Sequence, residues 1–263
     1  MHSYSKGAFL HVTTADWRCW EQNLAEIRKV SAPDHLEVWL EYLPTVTEMV
    51  DLVSLLRGTK TIVHGPFIHL TIASHLEGIA SLSLDRFKRT MEVASAIDAE
   101  VVTFHAGTRA FFHNEEQAFE LVDKRFAPFA GMRNPTPALE NMPFRAGTTT
   151  DLLSSLVALS AFGRRLQGLR FTLDIGHAIQ NGEDFLAFIR KECHRIVNIH
   201  LHDGRHRGPS HLSIGKGELD LPGTLRTFQA SGYSGFVGLE TLGLRDTRDS
   251  WQEWQECETS LLS

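Results

Sequence analysis

Six segments of the chain each end an apolar or β-branched run with a side chain that can ligate a metal or move a proton. They are His64 in TIVHGPF, His105 in VVTFHAG, Glu140 in PALENMP, Asp174 and His177 in FTLDIGHA, His200, His202 and Asp203 in IVNIHLHDG, and Glu240 in FVGLETLG. Imidazole nitrogens and carboxylate oxygens are the donors that a borderline divalent cation accepts, so these residue types gathered at one place would form a metal centre. Carboxylates crowded together without a cation repel one another. One histidine at a strand end is ordinarily explained by a hydrogen bond to a neighbouring loop. Six successive strands ending in ligand types, in a chain with 14 histidines, point to a shared cause.

A second concentration lies in HLHDGRHRGPSHLSIGKGELD, residues 200–220. Of His200 and His202, only one is expected to point inward. His211 follows a Gly-Pro turn and precedes GKGELD, a segment expected to drape over the site as a lid. Arg205 and Arg207 are candidates for gripping a phosphate or carboxylate of a substrate. Other chemistries find no support: Gly215-Lys216-Gly217 is too short for a phosphate-binding loop, there is no GxSxG, and no cysteine lies in a motif.

The elements that must position these groups alternate regularly. Strand candidates are 8–13, 35–41, 60–64, 100–105, 137–141, 170–174, 196–202 and 235–240. Helical periodicity fills the intervals near 17–30, 46–57, 79–97, 115–130, 149–166, 183–194 and 221–231, with an eighth helix at 248–261. Thr148 or Thr149 is expected to cap the fifth helix, and Gly58, Gly168 and Gly232 sit where helix C-termini need positive φ. Trp17, Trp20, Trp251 and Trp254, spaced at three, are expected to pack on the outside of the sheet. Eight βα units in order predict an α/β fold, a single (β/α)8 TIM barrel, with residues 1–263 as one domain. A doubly wound open sheet competes, but eight is the number that closes a barrel. In such a barrel the reacting groups project from the C-terminal strand ends, where the histidines and carboxylates fall.

Composition bounds the partners. Lys plus Arg is 26 against 32 Asp plus Glu, and the net charge of -6 offers no global attraction to nucleic acid or anionic lipid. Cys19, Cys193 and Cys257 are too few and too far apart for a disulfide framework, which fits a reducing cytoplasm. The opening MHSYSKGAFLHV lacks the apolar core of a signal peptide, and no stretch reaches the roughly 18 apolar residues of a membrane span. A cytoplasmic protein without membrane association is expected.

Taken together, LEN at 139–141, LDIGHA at 173–178, IHLHDG at 199–204, HLSIGKGELD at 211–220 and GLE at 238–240 resemble the xylose-isomerase-like barrel superfamily. That superfamily holds sugar isomerases and epimerases together with nucleases of the endonuclease IV type. The resemblance runs from His64 to Glu240; strands one and two match in pattern only. In its epimerase branch the resemblance implies one divalent metal, Mn, Mg or Zn, held by Glu140, Asp174, His200 and Glu240, with no organic cofactor. Glu140 and Glu240 would also serve as the catalytic acid/base pair. His177 would touch a small carbohydrate substrate, with His64, His105, Arg205 and Arg207 as further contacts. His200 is then the inward histidine, and His202 an outer-face or loop-supporting residue.

The nuclease branch makes His64, His105, His177 and His211 additional metal ligands, with Glu140 bridging metals. There His177 and His211 would share a third metal with an aspartate two residues before His211. That position is Pro209 here, so the third site is incomplete unless Asp203 substitutes.

The resemblance thus implies a divalent-metal-dependent sugar or sugar-phosphate isomerase or epimerase, in which a carboxylate removes the proton next to a carbonyl through a metal-stabilised enediolate. The alternative is a zinc-dependent apurinic-site phosphodiesterase, the only reading with nucleic acid as partner. Scattered basic residues and negative net charge weigh against it. A metal-bound scaffold without turnover is a third reading, disfavoured because both glutamates are present.

Overall fold

The computed structural model describes residues 4–145 and 147–262. In chain order the elements are β1 (Ser5–Val12), α1 (Trp17–Val30), β2 (His35–Leu40), α2 (Val46–Leu56), β3 (Lys60–His64), α3 (Glu77–Ala96), β4 (Val101–Phe104), β5 (Thr108–Ala110), α4 (Glu115–Phe126) and β6 (Thr136–Glu140). They continue with β7 (Thr149–Asp151), α5 (Leu156–Arg165), β8 (Arg170–Asp174), α6 (Ile175–Asn181), α7 (Phe185–Glu192), β9 (Ile196–Leu201), α8 (Leu221–Ala230), β10 (Phe236–Leu239) and α9 (Leu244–Leu262). The apolar, β-branched runs become strands buried on both faces, as a parallel sheet wrapped in helices requires. They close in the order β1-β10-β9-β8-β6-β4-β3-β2, every neighbouring pair parallel. The expected (β/α)8 barrel is the observed fold.

Capping chemistry fixes where the helices begin. Thr45 and Glu48 form a reciprocal capping box at α2, and the side chains of Asn114, Asp184 and Asp220 cap α4, α7 and α8. Gly58, Gly168 and Gly232 adopt φ of 74°, 85° and 64°, as their positions after helices require. Trp20, Trp251 and Trp254 are buried where outer helices pack on the barrel, whereas Trp17 is exposed.

Two local expectations are corrected. The helix expected over 149–166 starts only at Leu156, and its cap is Ser155, whose hydroxyl accepts from Val157 N and Ala158 N. Thr149 does not cap it, because Thr149–Asp151 pairs antiparallel with Thr108–Ala110 in a two-stranded ribbon outside the barrel. That pairing satisfies backbone groups which a longer helix would have used. The second correction is α6, which starts directly at the end of β8: Asp174 caps it through His177 N at 2.6 Å, and Gly182 ends it at φ 72°. No helix among the described residues is long and apolar enough to cross a membrane.

Candidate metal centre

Parallel strands deliver their final residues to one end of the barrel. Glu140 and Asp174 are the last residues of β6 and β8, His200 lies one residue before the end of β9, and Glu240 immediately follows β10. One ligand atom from each of these four lies within 4.8 Å of the others. His200 Nδ1 is 3.3 Å from Glu140 Oε1, 3.0 Å from Glu240 Oε2 and 3.9 Å from Asp174 Oδ2. The second oxygen of Glu140 turns the other way, 3.3 Å from His64 Nε2 and 3.1 Å from His105 Nε2, and makes a second group with those histidines. His177, His202 and His211 form a third group. Asp174 links it to the first, since its Oδ2 is 2.9 Å from His202 Nε2 and 3.2 Å from His177 Nδ1.

The ends of β6 and β8 are tied by the asparagine of the LEN motif. Asn141 Nδ2 donates to Asp174 O and its Oδ1 accepts from Asp174 N, each at 2.8 Å, so the backbone that carries one carboxylate is fixed to the residue following the other.

Burial disfavours charge on Glu140, Glu240, His64, His177, His200 and His202, and for all but His177 the attraction of neighbouring groups overrides it. Burial pushes Glu140 toward its neutral form, but His200 and His105 hold its carboxyl well below the ordinary range. His200 does the same for Glu240. Against burial, Glu37, Glu240 and Glu140 raise His200 well above the usual imidazole value. Asp174 likewise lifts His202, to about 9. For His177 burial outweighs its carboxylate neighbours, and its value falls.

These shifts give the metal-free chain a pH signature. The folded value of His202 near 9 lies above the unfolded 6.5, so its contribution to stability is complete below pH 6.5 and lost as pH climbs through 9. Denaturation in urea with chelator present is expected to show a lower midpoint at pH 9 than at pH 6.5. A midpoint that rises across that window would contradict the assignment.

The donor set suits a divalent cation. Three carboxylates and one imidazole converge on a single point, and Glu240 Oε2, though buried and 3.0 Å from His200 Nδ1, forms no hydrogen bond. An oxygen withdrawn from water without a hydrogen bond is costly, and a cation at that point would compensate it.

Residues 32–257 match the xylose isomerase-like TIM barrel family. The chain belongs to that family. Its fold is similar to that of a D-tagatose 3-epimerase-like protein, with a TM-score of 0.79 and 22% identity over 98% of this chain and 100% of that one. It is also similar to endonuclease IV from Thermus thermophilus, with a TM-score of 0.70 and 17% identity over 97% of this chain and 99% of that one. In sequence, 167 residues are 30% identical to an uncharacterised protein of Methanocaldococcus jannaschii, covering 62% of this chain. The match spans 63% of that relative's length.

Within this xylose isomerase-like barrel, the residues singled out in the sequence fall into separate places. Glu140, Asp174, His177, His200, Glu240, His64, His105 and His211 all belong to the three connected groups. Of the two places expected for His202, the outer face is excluded, since it is fully buried and its Nε2 is turned back to Asp174, while its Nδ1 accepts from His211 N in the loop that follows. A Cβ at Gly176 would lie 1.8 Å from its ring, so the glycine of LDIGHA is what admits it. Asp203 does not take the place of the missing aspartate at Pro209. Its carboxylate accepts from the backbone N–H groups of Gly204, Gly215, Gly217 and Leu219, and so fixes the segment expected to act as a lid. Arg205 and Arg207 lie outside the three groups, and the guanidinium of the exposed Arg205 donates to Lys216 O.

The cleft above the centre measures about 620 Å³ including its mouth and is lined by Phe67, His105, Glu140, His177 and Glu240. The arginine on its wall is Arg145, in company with Asp151, and the sequence patterns mark neither as a site residue. Glu37 on β2 also escapes those patterns, and its carboxylate reaches His200 from inside the barrel. The available signal is a lone carboxylate in HLEVWL, where a doubly buried strand should be apolar.

Proposed function

We propose that the chain is a divalent-metal-dependent isomerase or epimerase of a sugar or sugar phosphate. The observation that carries this reading is the convergence of Glu140 and Glu240. They come from β6 and the end of β10, three positions apart around an eight-stranded ring, line the same cleft, and meet Asp174 and His200 beneath it. The likeness in fold to a D-tagatose 3-epimerase-like protein supports it.

A cation held by Glu140, Asp174, His200 and Glu240 would act as a Lewis acid toward the carbonyl and hydroxyl oxygens of a bound substrate. The remaining work falls to the chain. One glutamate, ionised because His200 holds it so, takes the proton from the carbon beside the carbonyl. The other, having first taken a proton from solvent, delivers it to the opposite face of that carbon, which inverts the centre, and the first then releases its proton to solvent. Alternatively the first glutamate passes the proton it removed to the neighbouring carbon on the same face, which interconverts aldose and ketose. His177, at the edge of the centre, orients a substrate hydroxyl, and Phe67 excludes water from one wall.

Solvent deuterium entering a ketose in the presence of manganese or magnesium, with no nicking of an abasic-site duplex, is the expected result. Nicking without exchange would establish instead the phosphodiesterase reading, which the two additional histidine groups favour because clustered metals suit phosphodiester cleavage. Metal analysis separates the same readings: one metal per chain fits the isomerase, and two or three zincs fit the phosphodiesterase. His177→Ala is expected to raise KM about three- to tenfold, the loss of one hydrogen bond from a neutral imidazole of roughly 0.5–1.5 kcal/mol, while changing metal affinity less than about threefold. Equal losses in both would move His177 to the metal.

A further inference from the structure

Beneath the metal centre, inside the barrel, one carboxylate has no place in the mechanism above. Glu37 lies in the middle of β2 and is fully buried. Its Oε1 is 3.1 Å from His200 Nε2, and its Oε2 accepts from Asn198 Nδ2 at 3.0 Å. Among the described residues its ion-pair partner is His200. A carboxylate is a costly filling for a barrel interior that a leucine would occupy without desolvation penalty.

The surrounding chain makes room for it. A Cβ at Gly238 on β10 would lie 3.2 Å from Glu37 Oε2 and 3.3 Å from the Phe9 ring, so the absence of a side chain there leaves space for both. Phe9 meets the His200 imidazole edge-on, with ring centroids 5.2 Å apart. The His200 ring is therefore held by Phe9 against its side and by Glu37 at Nε2. Its Nδ1 is left facing Glu140, Asp174 and Glu240.

A neutral imidazole carries one ring proton, and only the other nitrogen has a lone pair to give. For Nδ1 to ligate, the proton must reside on Nε2. An acceptor placed at Nε2 selects that tautomer, fixes the ring's rotation and makes Nδ1 a better donor.

We infer that Glu37 is a positioning residue of the metal centre, accepting the Nε2 proton of His200 from within the barrel so that Nδ1 is presented to the cation. The inference rests on the metal-centre reading above, and the test separates the two.

Zinc affinity of the full chain and of Glu37→Leu and Glu37→Gln is measured by competition with a chromogenic chelator. Long-range proton–nitrogen NMR of the zinc-loaded proteins reports the His200 tautomer. Glu37→Leu is expected to bind zinc about 10–100-fold more weakly and to lose the single Nε2–H tautomer. Glu37→Gln retains an acceptor oxygen, so it keeps the tautomer and loses only about three- to tenfold through the missing charge. A purely structural role would lower the melting temperature and leave the tautomer and the affinity of the folded chain unchanged. Affinity within about twofold of the parent in Glu37→Leu overturns the inference; if that variant does not fold, unchanged affinity in Glu37→Gln does so. A parent chain that takes up no zinc overturns the metal centre itself, and this inference with it.

Discussion

Replacing Glu240 by glutamine is expected to cut the rate of solvent-deuterium exchange into substrate by about 10²–10⁴-fold at saturating metal, the usual loss when a positioned acid/base group is removed. Glutamine reproduces the shape of the side chain and retains a carbonyl oxygen that can ligate, so the cation should still bind. What it cannot do is take up a proton. Glu240 is ionised, and so free to accept one, because His200 holds its carboxyl well below the ordinary range despite burial. Most of the fold should persist in this variant, because Glu240 Oε2 makes no hydrogen bond that the barrel depends on. Circular dichroism and melting temperature check that half of the expectation, and full exchange activity would remove Glu240 from the mechanism. The corresponding change at Glu140 should cost more metal, since its two oxygens face different histidine groups.

The second large effect concerns the loop after β9. Asp203 Oδ1 accepts from Gly204 N at 2.8 Å and Leu219 N at 2.9 Å, and Oδ2 from Gly215 N at 2.9 Å and Gly217 N at 2.8 Å. Asp203→Ala strips four backbone donors of their partner at once; the hydrogen bond from Gly204 is buried and those from Gly215, Gly217 and Leu219 are partly buried. A loss of roughly 3–5 kcal/mol in urea denaturation is expected, since each abandoned buried donor costs on the order of 1 kcal/mol or more unless water reaches it. Trypsin cleavage after Lys216 should accelerate in parallel. A variant as stable and as resistant as the parent would show that the segment is held by something else.

Much of this molecule is readable from its sequence, for a physical reason. Parallel strands all point one way, so ligand residues that close apolar runs far apart in the chain must arrive at one rim; the barrel's handedness and count are enough to bring Glu140, Asp174, His200 and Glu240 together. The failures also have causes. The outward expectation for His202 misapplied strand alternation: residues two apart share a face, so an inward His200 already places His202 on the same side, as its burial shows. Its actual direction depends on a space at Gly176, a contact between segments that no local pattern encodes. Thr149–Asp151 merges into a helical pattern because a three-residue ribbon strand is too short to show a period of its own. Glu37 and the role of Asp203 escape a local reading for a common reason: their partners are chosen by the closure of the ring and the return of a loop, both long-range events.

The cradle around Asp203 divides one stretch of chain into parts under different evolutionary rules. Its inner residues hold His211 beside the centre, through the bridge between Asp203 and Leu212. Arg205, His206 and Arg207 instead occupy an exposed bend whose path is already set from below. Natural drift or a directed library could rewrite those three positions, and with them what approaches this rim of the barrel, while the buried groups underneath stay as they are.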